Sequence, residues 1–122
     1  MARHNELGVI GEQVATDYLG GLGWTIIARN YRRPYGEIDI VARETCGKLV
    51  FVEVKSVSYG TLIRAEENVH SHKLKRLSRT IESYLLSTHE KEDWRFDVVV
   101  VELDRATRKA RIRHLDDVII GS

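Results

Sequence analysis

The sequence predicts an α/β domain in which a sheet of mixed strand direction is flanked by helices. Two segments carry apolar residues at spacings of three and four, as helices do, and several runs rich in Val and Ile show the alternation typical of strands. Their order along the chain is helix, three strands, helix, two strands. At 122 residues the chain is expected to form a single domain, residues 1–122.

The first predicted helix runs from Asn5 to Leu22, with Asn5 as its N-cap and glycines at its end. Glu12 lies beside its apolar stripe. The second helix is predicted from His72 to Leu86, with a buried stripe that includes Leu77 and Ile81. Three cations of this helix lie near or across from the stripe, and we expect them to contact a nucleic-acid backbone: Lys73, Arg76 and Arg79.

The strands are predicted from runs of β-branched and aromatic residues bounded by turn residues. The sequence WRFDVVVVEL contains four consecutive valines, which is typical of a strand covered on both faces. Residues 57–69 are assigned to a loop, and residues 116–120 to a short closing element. The predicted strands are Trp24 to Arg32, two strands within Gly36 to Lys55, Trp94 to Leu103, and an edge strand from Arg108 to Leu115.

The hairpin GEIDIVARETCGKLVFVEVK places charged residues inside strands that are otherwise apolar. A three-residue connection closed by Gly47 would pair Glu44 with Lys48, and counting back from that pair sets Asp39 opposite Glu53. Two like charges facing each other across a ladder destabilise it, and a divalent cation between them reverses that effect. A slip of one residue would send the two carboxylates to opposite faces, so the prediction depends on the register.

Asp39 and Glu53 are therefore the candidate ligands of a hard cation, Mg2+ or Mn2+, which prefers oxygen donors. Lys55 shares a face with Glu53 because residues two apart in a strand point to the same side. Its ammonium would stabilise charge that develops on a phosphate under attack. Glu12 could reach the same site from the first helix, as a further ligand or through a water.

Composition narrows the class of protein. The net charge is only +1, no apolar run has the length of a signal peptide or a membrane span, and Cys46 is the only cysteine. These features lead us to expect a cytoplasmic protein without a membrane partner. Tyr31 and Arg32, which precede Asp39 in the chain, complete the expected nucleic-acid-binding set.

The sequence from Asp39 to Glu53-Val54-Lys55 resembles the D…(D/E)XK signature of the restriction-endonuclease-like nucleases. Five segments are more closely similar to the bacterial YraN family, which is related to archaeal Holliday-junction resolvases: GEQVATDYL, RNYR, GEIDIVA, VFVEVKS and RFDVV. The resemblance implies a restriction-endonuclease-like αβββαβ core and a metal-dependent DNA endonuclease. It also implies an active-site set of Glu12, Asp39, Glu53 and Lys55.

Two positions depart from the pattern. Ile38 stands where the superfamily signature has a proline, and Ser56 follows Lys55 where many relatives carry a basic residue. The second departure places a phosphate contact in doubt but not the metal site.

Other interpretations remain open at this point. The chain could be a non-catalytic nucleic-acid-binding module, or a protein whose charged hairpin contacts a protein partner. Glu37 and Lys55 could also form an ordinary cross-strand pair on a solvated hairpin. As a nuclease it would act on DNA rather than RNA, and a symmetric homodimer would suit the cutting of two strands.

Overall fold

The computed structural model describes residues 2–60, 71–91 and 93–119, with side chains described from Glu6 onward and, after the gap, from Lys75 onward. The order of elements confirms the predicted fold class. An αβββαβ core is followed by one further strand, β5. The elements are α1 (Ala2–Gly21), β1 (Thr25–Arg33), β2 (Gly36–Arg43), β3 (Leu49–Ser58), α2 (Ser71–Thr88), β4 (Trp94–Asp104) and β5 (Lys109–Leu115).

The five strands form one sheet in the order β1-β2-β3-β4-β5. All neighbouring pairs are antiparallel except β3 and β4, which are parallel. A parallel pair needs a crossover connection, and α2 lies in the segment that joins β3 to β4. The sheet is therefore of mixed direction, as predicted.

Each face of the sheet has its own apolar core. Ala15 and Leu19 of α1 pack on one face, which we call the α1 face, and Leu77 and Ile81 of α2 pack on the other, the α2 face. The valine run of β4 serves both cores, since alternate side chains of a strand point to opposite faces. Val99 and Val101 belong to the α1 face, and Val98 and Val100 to the α2 face.

The hairpin between β2 and β3 has the predicted register. The Glu44 N–H donates to the Lys48 carbonyl at 3.0 Å, and the Gly47 N–H donates to the Glu44 carbonyl at 2.7 Å. Gly47 has φ +98°, a conformation that residues with a Cβ rarely adopt. The cross-strand pairs run from Arg43 with Leu49 to Ile40 with Val52.

The ends of several elements differ from the predictions. α1 begins at Ala2, so Asn5 lies within the helix and is not its N-cap, and most other bounds shift by one or two residues. β3 extends to Ser58, because its parallel pairing with β4 continues as far as Ser58 opposite Leu103. Residues 116–119 form neither helix nor strand, although the Val118 N–H donates to the Phe96 carbonyl at 2.7 Å. Most of the predicted loop, residues 61–69, and residue 120 lie outside the described residues. Within the described part of the chain, no helix is long and apolar enough to cross a bilayer.

Helix α1 approaches β3 most closely at Gly11, which is buried. A Cβ added there would lie 1.7 Å from Ser56 Oγ and 2.8 Å from Ser56 Cβ. Ser56 thus packs against α1, at the position where many relatives were expected to carry a basic residue. This contact fixes α1, and with it Glu12, against the strand that carries Glu53 and Lys55.

We predict that Gly11→Ala lowers the free energy of unfolding by about 1–3 kcal/mol, because the added methyl group overpacks the helix against β3. Denaturant unfolding monitored by circular dichroism measures this change. Gly8→Ala is the matched control, since a Cβ at Gly8 meets nothing within 4 Å. It should leave stability unchanged or raise it by up to about 1 kcal/mol through helix propensity. Equal effects of the two substitutions would contradict the close approach.

Candidate active site

The candidate site lies where β2 and β3 separate. Because the Glu44 N–H donates to the Lys48 carbonyl, the alternation of an antiparallel ladder would have the Val54 N–H donate to the carbonyl of Ile38. It donates instead to Oδ2 of Asp39, at 2.8 Å. The last paired residues are Ile40 and Val52. The Asp39 side chain therefore ends the ladder and holds the two strands at the point where they diverge.

A cleft of about 650 Å³ opens at this divergence. Asp39, Glu53 and Val54 line it from the two strands, and Arg76 and Leu77 line it from α2. Residues 32–37, which comprise the end of β1, the turn and the start of β2, complete the lining. The cleft thus has two carboxylates on its sheet side and cations at its rim.

Gly36 allows α2 to lie close to the start of β2. A Cβ at Gly36 would lie 2.6 Å from Thr80 Oγ1 and 3.1 Å from the Arg76 carbonyl oxygen. Thr80 is buried and donates to that same carbonyl at 2.7 Å. This close packing brings Arg76 to the rim of the cleft.

The carboxyl group of Asp39 is strongly perturbed. Burial raises its pKa, and the charge of Glu53 raises it further, to about 7, although the hydrogen bond from Val54 acts in the opposite direction. Glu37 and Glu12 add smaller effects of the same sign as Glu53. Glu53, which is itself buried, therefore lies close enough to Asp39 for its charge to oppose the ionisation of Asp39.

Lys55 lies on the same side of β3 as Glu53, one pleat away. Its neighbour across the parallel ladder is Val100, whose side chain belongs to the α2 face. Lys55 is half-buried. Glu53 and Lys55 therefore share the α2 side of β3, and Asp39 and Glu53 line the same cleft.

Glu12 has a more indirect relation to this group. Its Oε2 accepts hydrogen bonds from Arg29 Nε at 3.2 Å, Arg29 Nη2 at 3.0 Å and Asn30 Nδ2 at 3.0 Å. The charge of Glu12 contributes to the raised pKa of Asp39, so it lies within electrostatic reach of the site. Across the described residues, however, no three His, Cys, Asp or Glu side chains form a cluster arranged to hold a metal.

Arg29 and Asn30 were not singled out from the sequence. Asn30 adopts φ +53°, which Asn tolerates better than most residues because its short side chain bonds locally. The only sequence signal for this pair is the RNYR segment itself, whose polar residues end a strand beside the turn that leads to Asp39.

Three of the five predicted nucleic-acid contacts, Arg76, Arg79 and Arg32, lie at or beside the cleft. Arg76 lines it and is exposed, and the guanidinium of Arg79 lies 4.2 Å from the ring centroid of Tyr35, which also lines it. Arg32, on the opposite wall, is exposed and donates through Nε to Glu37 at 2.7 Å. Glu37 is thus engaged by Arg32, and the β2–β3 ladder ends before residues 37 and 55 would pair.

The other two predicted contacts differ in what the structure describes. The Tyr31 ring packs edge-on against Tyr84 at 5.2 Å between centroids, and the Arg33 guanidinium lies 4.2 Å from its centroid. The Tyr31 hydroxyl is buried and has no hydrogen-bond partner among the residues that the structure describes. Protein groups therefore occupy the surroundings of Tyr31. Lys73 lies in α2, but its side chain is outside the described set.

A second buried carboxylate, Asp97, has a complete set of protein partners. It accepts from Arg95 Nε at 2.9 Å and from the Asp117 amide at 3.0 Å, and it lies 2.7 Å from His114 Nε2. His114 in turn lies 2.9 Å from the hydroxyl of Tyr18. Burial alone would raise the pKa of Asp97, but these hydrogen bonds outweigh burial and hold the pKa below its usual value. Asp97 thus stabilises the start of β4.

The two carboxylates at the cleft fit a hard divalent cation. They supply paired oxygen donors, their mutual repulsion is what a cation would relieve, and the cleft leaves space for the waters and phosphate oxygens that Mg2+ keeps in its coordination shell. Asp39 and Glu53 would hold the ion. The fit rests on two protein ligands, with Glu12 available only if it leaves Arg29.

The arrangement of strands and helices, with a carboxylate pair at the β2–β3 divergence and a lysine beside it, defines a restriction-endonuclease-like α/β protein. Residues 11–101 match the model of a family described as "Uncharacterised protein family UPF0102". The chain therefore belongs to the UPF0102 family, which is the YraN family that its motifs resemble.

Three relatives, each named a UPF0102 protein, illustrate the extent of the similarity. The relative from Corynebacterium efficiens is 37% identical over 96% of this chain and 94% of its own. The relative from Alkaliphilus oremlandii is 40% identical over 93% of this chain and 97% of its own. The relative from Moorella thermoacetica is 43% identical over 86% and 88%, respectively. The match thus covers nearly the whole of each protein.

We predict that the raised pKa of Asp39 makes the metal-free protein less stable as pH increases. The unfolded chain releases this proton near pH 3.8 and the folded chain near pH 7, so the free energy of unfolding falls between these values and the loss is complete above about pH 7. Asp39→Asn cannot ionise and can still accept the Val54 N–H. In the presence of chelator, the free energy of unfolding of Asp39→Asn should exceed that of the wild type by a few kcal/mol at pH 8 and by much less at pH 4. Urea unfolding at several pH values measures the difference, and a difference independent of pH would contradict the assignment.

Asp97 should behave in the opposite way. Its depressed pKa means that it stabilises the fold above about pH 3.8, and that this contribution is lost as pH falls through the lower folded-state pKa. Asp97→Asn should lower the free energy of unfolding by about 3 kcal/mol at pH 7, because it removes a buried charge that pairs with Arg95 and His114 and leaves Arg95 with only Glu44 as an ion-pair partner among the described residues. The same urea series tests this, and a substitution without effect at pH 7 would contradict the structural role.

Proposed function

We propose that this protein is a Mg2+- or Mn2+-dependent endonuclease that hydrolyses phosphodiester bonds in DNA. The observation that carries the proposal is the divergence of β2 and β3 at Asp39. It places Asp39 and Glu53 together at a cleft, with Lys55 one pleat away. A purely structural role gives little reason to bring two carboxylates of like charge together at a cleft, whereas phosphoryl chemistry uses such a pair to hold a cation.

In this mechanism each residue has a distinct part. Asp39 and Glu53 hold the cation, which, when bound, neutralises charge on the phosphate and lowers the pKa of a water. Lys55 places its ammonium beside the same phosphate, where it stabilises the negative charge that develops during in-line attack. Arg76, at the rim of the cleft, contacts a neighbouring phosphate and fixes the position of the DNA strand.

Glu12 and Arg29 position the site from the side of α1. The ion pair between them, 3.0 Å from Nη2 to Oε2, keeps the carboxylate of Glu12 oriented while its charge acts on Asp39. In the proposed reaction Glu12 accepts a proton from a water at the edge of the site, or becomes a ligand when substrate draws Arg29 toward its phosphates. Glu12 therefore acts on the charge of Asp39 while it is paired with Arg29, and takes a direct part as proton acceptor or ligand once substrate has drawn Arg29 away.

We predict that Lys55→Ala lowers the Mn2+-dependent cleavage rate by about 10²–10³-fold, because it removes a charge aimed at the reacting phosphate. The measurement is cleavage of a labelled panel of single-stranded, duplex, flapped and four-way-junction DNA. Lys91→Ala is the matched control, since Lys91 is an exposed lysine in the segment between α2 and β4. It should cleave like the wild type.

The outcomes of this panel separate the candidate functions. Cleavage retained by Lys55→Ala at the wild-type rate would overturn the assigned site. Tight binding to one panel member by both proteins without cleavage would favour a non-catalytic nucleic-acid-binding module. The absence of binding at low salt would favour a protein-interaction role. Calorimetry measures Mn2+ binding directly. Loss of that binding in Asp39→Ala would support the site independently of any activity.

A further inference from the structure

The α2 face of the sheet continues beyond the cleft to the edge strand β5. The registers of β3 with β4 and of β4 with β5 place Lys55, Val100 and Arg113 side by side in one row. The next row toward the β4–β5 turn contains Val57, Glu102 and Arg111. The assignment to this face is fixed by neighbours, because Val57 and Leu115 pack on the α2-face core whereas Ile112 packs on the α1-face core.

These rows set the distances from the candidate site. Neighbouring strands lie about 4.8 Å apart, so the backbones of Lys55 and Arg113 are separated by about 10 Å across the sheet. Arg111 lies two residues farther along β5, which is about 7 Å. Both arginines are exposed. A chain leaving the cleft along this face would therefore meet positive charge within one or two nucleotides.

Within the described part of the fold, neither arginine forms an ion pair with a carboxylate. Arg113 faces Val100 rather than a carboxylate. Glu102 lies opposite Arg111, yet no hydrogen bond or ion pair joins either arginine to a carboxylate of the described residues. An edge strand with such cations resists pairing with another strand, which is the structural explanation that competes with a binding role.

Tyr59 distinguishes the two explanations. It follows β3 directly, its N–H donates to the Leu103 carbonyl at 2.9 Å, and 54% of its surface is exposed. The guanidinium of Arg111 lies 5.3 Å from its ring centroid. Discouraging strand pairing requires no exposed aromatic ring, whereas an aromatic ring beside arginines is the arrangement that binds the bases and phosphates of single-stranded nucleic acid.

We propose that Arg111, Arg113 and Tyr59 form a track for a single-stranded arm of the substrate, with phosphates on the two arginines and an unpaired base on Tyr59. The proposal rests on the proposed nuclease function and narrows its substrate to DNA that has a single-stranded segment beside the cleaved bond. A base within a duplex has its faces covered by its neighbours, so it could not use Tyr59 in this way.

The test is fluorescence anisotropy with labelled DNA in the presence of chelator, so that binding is measured without cleavage. The wild type is compared with the double variant Arg111→Ala/Arg113→Ala on a single strand of about 20 nucleotides and on a duplex of equal length. The double variant should bind the single strand at least about tenfold more weakly. Its slope of log affinity against log salt should be shallower by about 1.4, which corresponds to two phosphate contacts.

Three further variants make the result specific. Arg105→Ala removes the same charge from the same hairpin, but its side chain lines a groove with Leu7 and Ile10 of α1, so it should bind like the wild type. Arg111→Lys/Arg113→Lys keeps both charges and should retain most of the affinity, which also guards against a loss of folding in the alanine variant. Tyr59→Leu should weaken single-strand binding about tenfold and leave duplex binding nearly unchanged.

Each outcome decides the proposal. A double variant that binds the single strand like the wild type, or a Tyr59→Leu variant without effect, overturns the track even if Mn2+-dependent cleavage of duplex DNA proceeds. Selective loss of single-strand binding supports the track, and the parallel cleavage panel then shows separately whether the nuclease function holds. A wild type that binds neither ligand overturns the track and the proposed function together.

Discussion

The hydrogen bond from the Val54 amide to the Asp39 carboxylate is the contact on which the candidate site depends. It occupies the position where a backbone carbonyl would otherwise continue the β2–β3 ladder, so the two strands part while each remains paired to its other neighbour. The cleft exists because of this divergence. The same bond fixes one oxygen of Asp39 and leaves the carboxyl group at the cleft beside Glu53.

The surrounding structure makes this arrangement tolerable. β2 is held by β1 as far as Gly36, β3 is held by β4 as far as Ser58, and α2 packs closely on the turn at Gly36. Two apolar cores on opposite faces of the sheet stabilise the frame. Against this background a local electrostatic penalty of a few kcal/mol can be sustained at Asp39, and cation binding would relieve it.

Much of the fold could be predicted because its determinants are local. Gly47 specifies the hairpin connection, the connection fixes the register, and the register brings Asp39 opposite Glu53. The valine run of β4 likewise predicts a strand that is buried on both faces. Less could be predicted where contacts join distant segments: the pairing of Glu12 with Arg29, the packing of Tyr31 against Tyr84, and the network of His114 with Asp97 depend on how α1, α2 and β5 dock. The local sequence around these residues does not indicate their partners, because the partners are determined by tertiary packing.

Asp39 and Asp97 show how environment separates structural from reactive carboxylates in one small protein. Asp97 is surrounded by His114, Arg95 and the Asp117 amide, so its charge is satisfied by the protein and its pKa is held low. Asp39 loses hydration through burial and has the negative charge of Glu53 nearby, and the hydrogen bond from the Val54 amide does not offset these two effects, so its pKa is raised. A carboxylate whose charge is already neutralised has little to gain from a cation. A carboxylate whose charge is opposed by its neighbour gains the most, and for this reason the inference of a metal-dependent site belongs to Asp39 and not to Asp97.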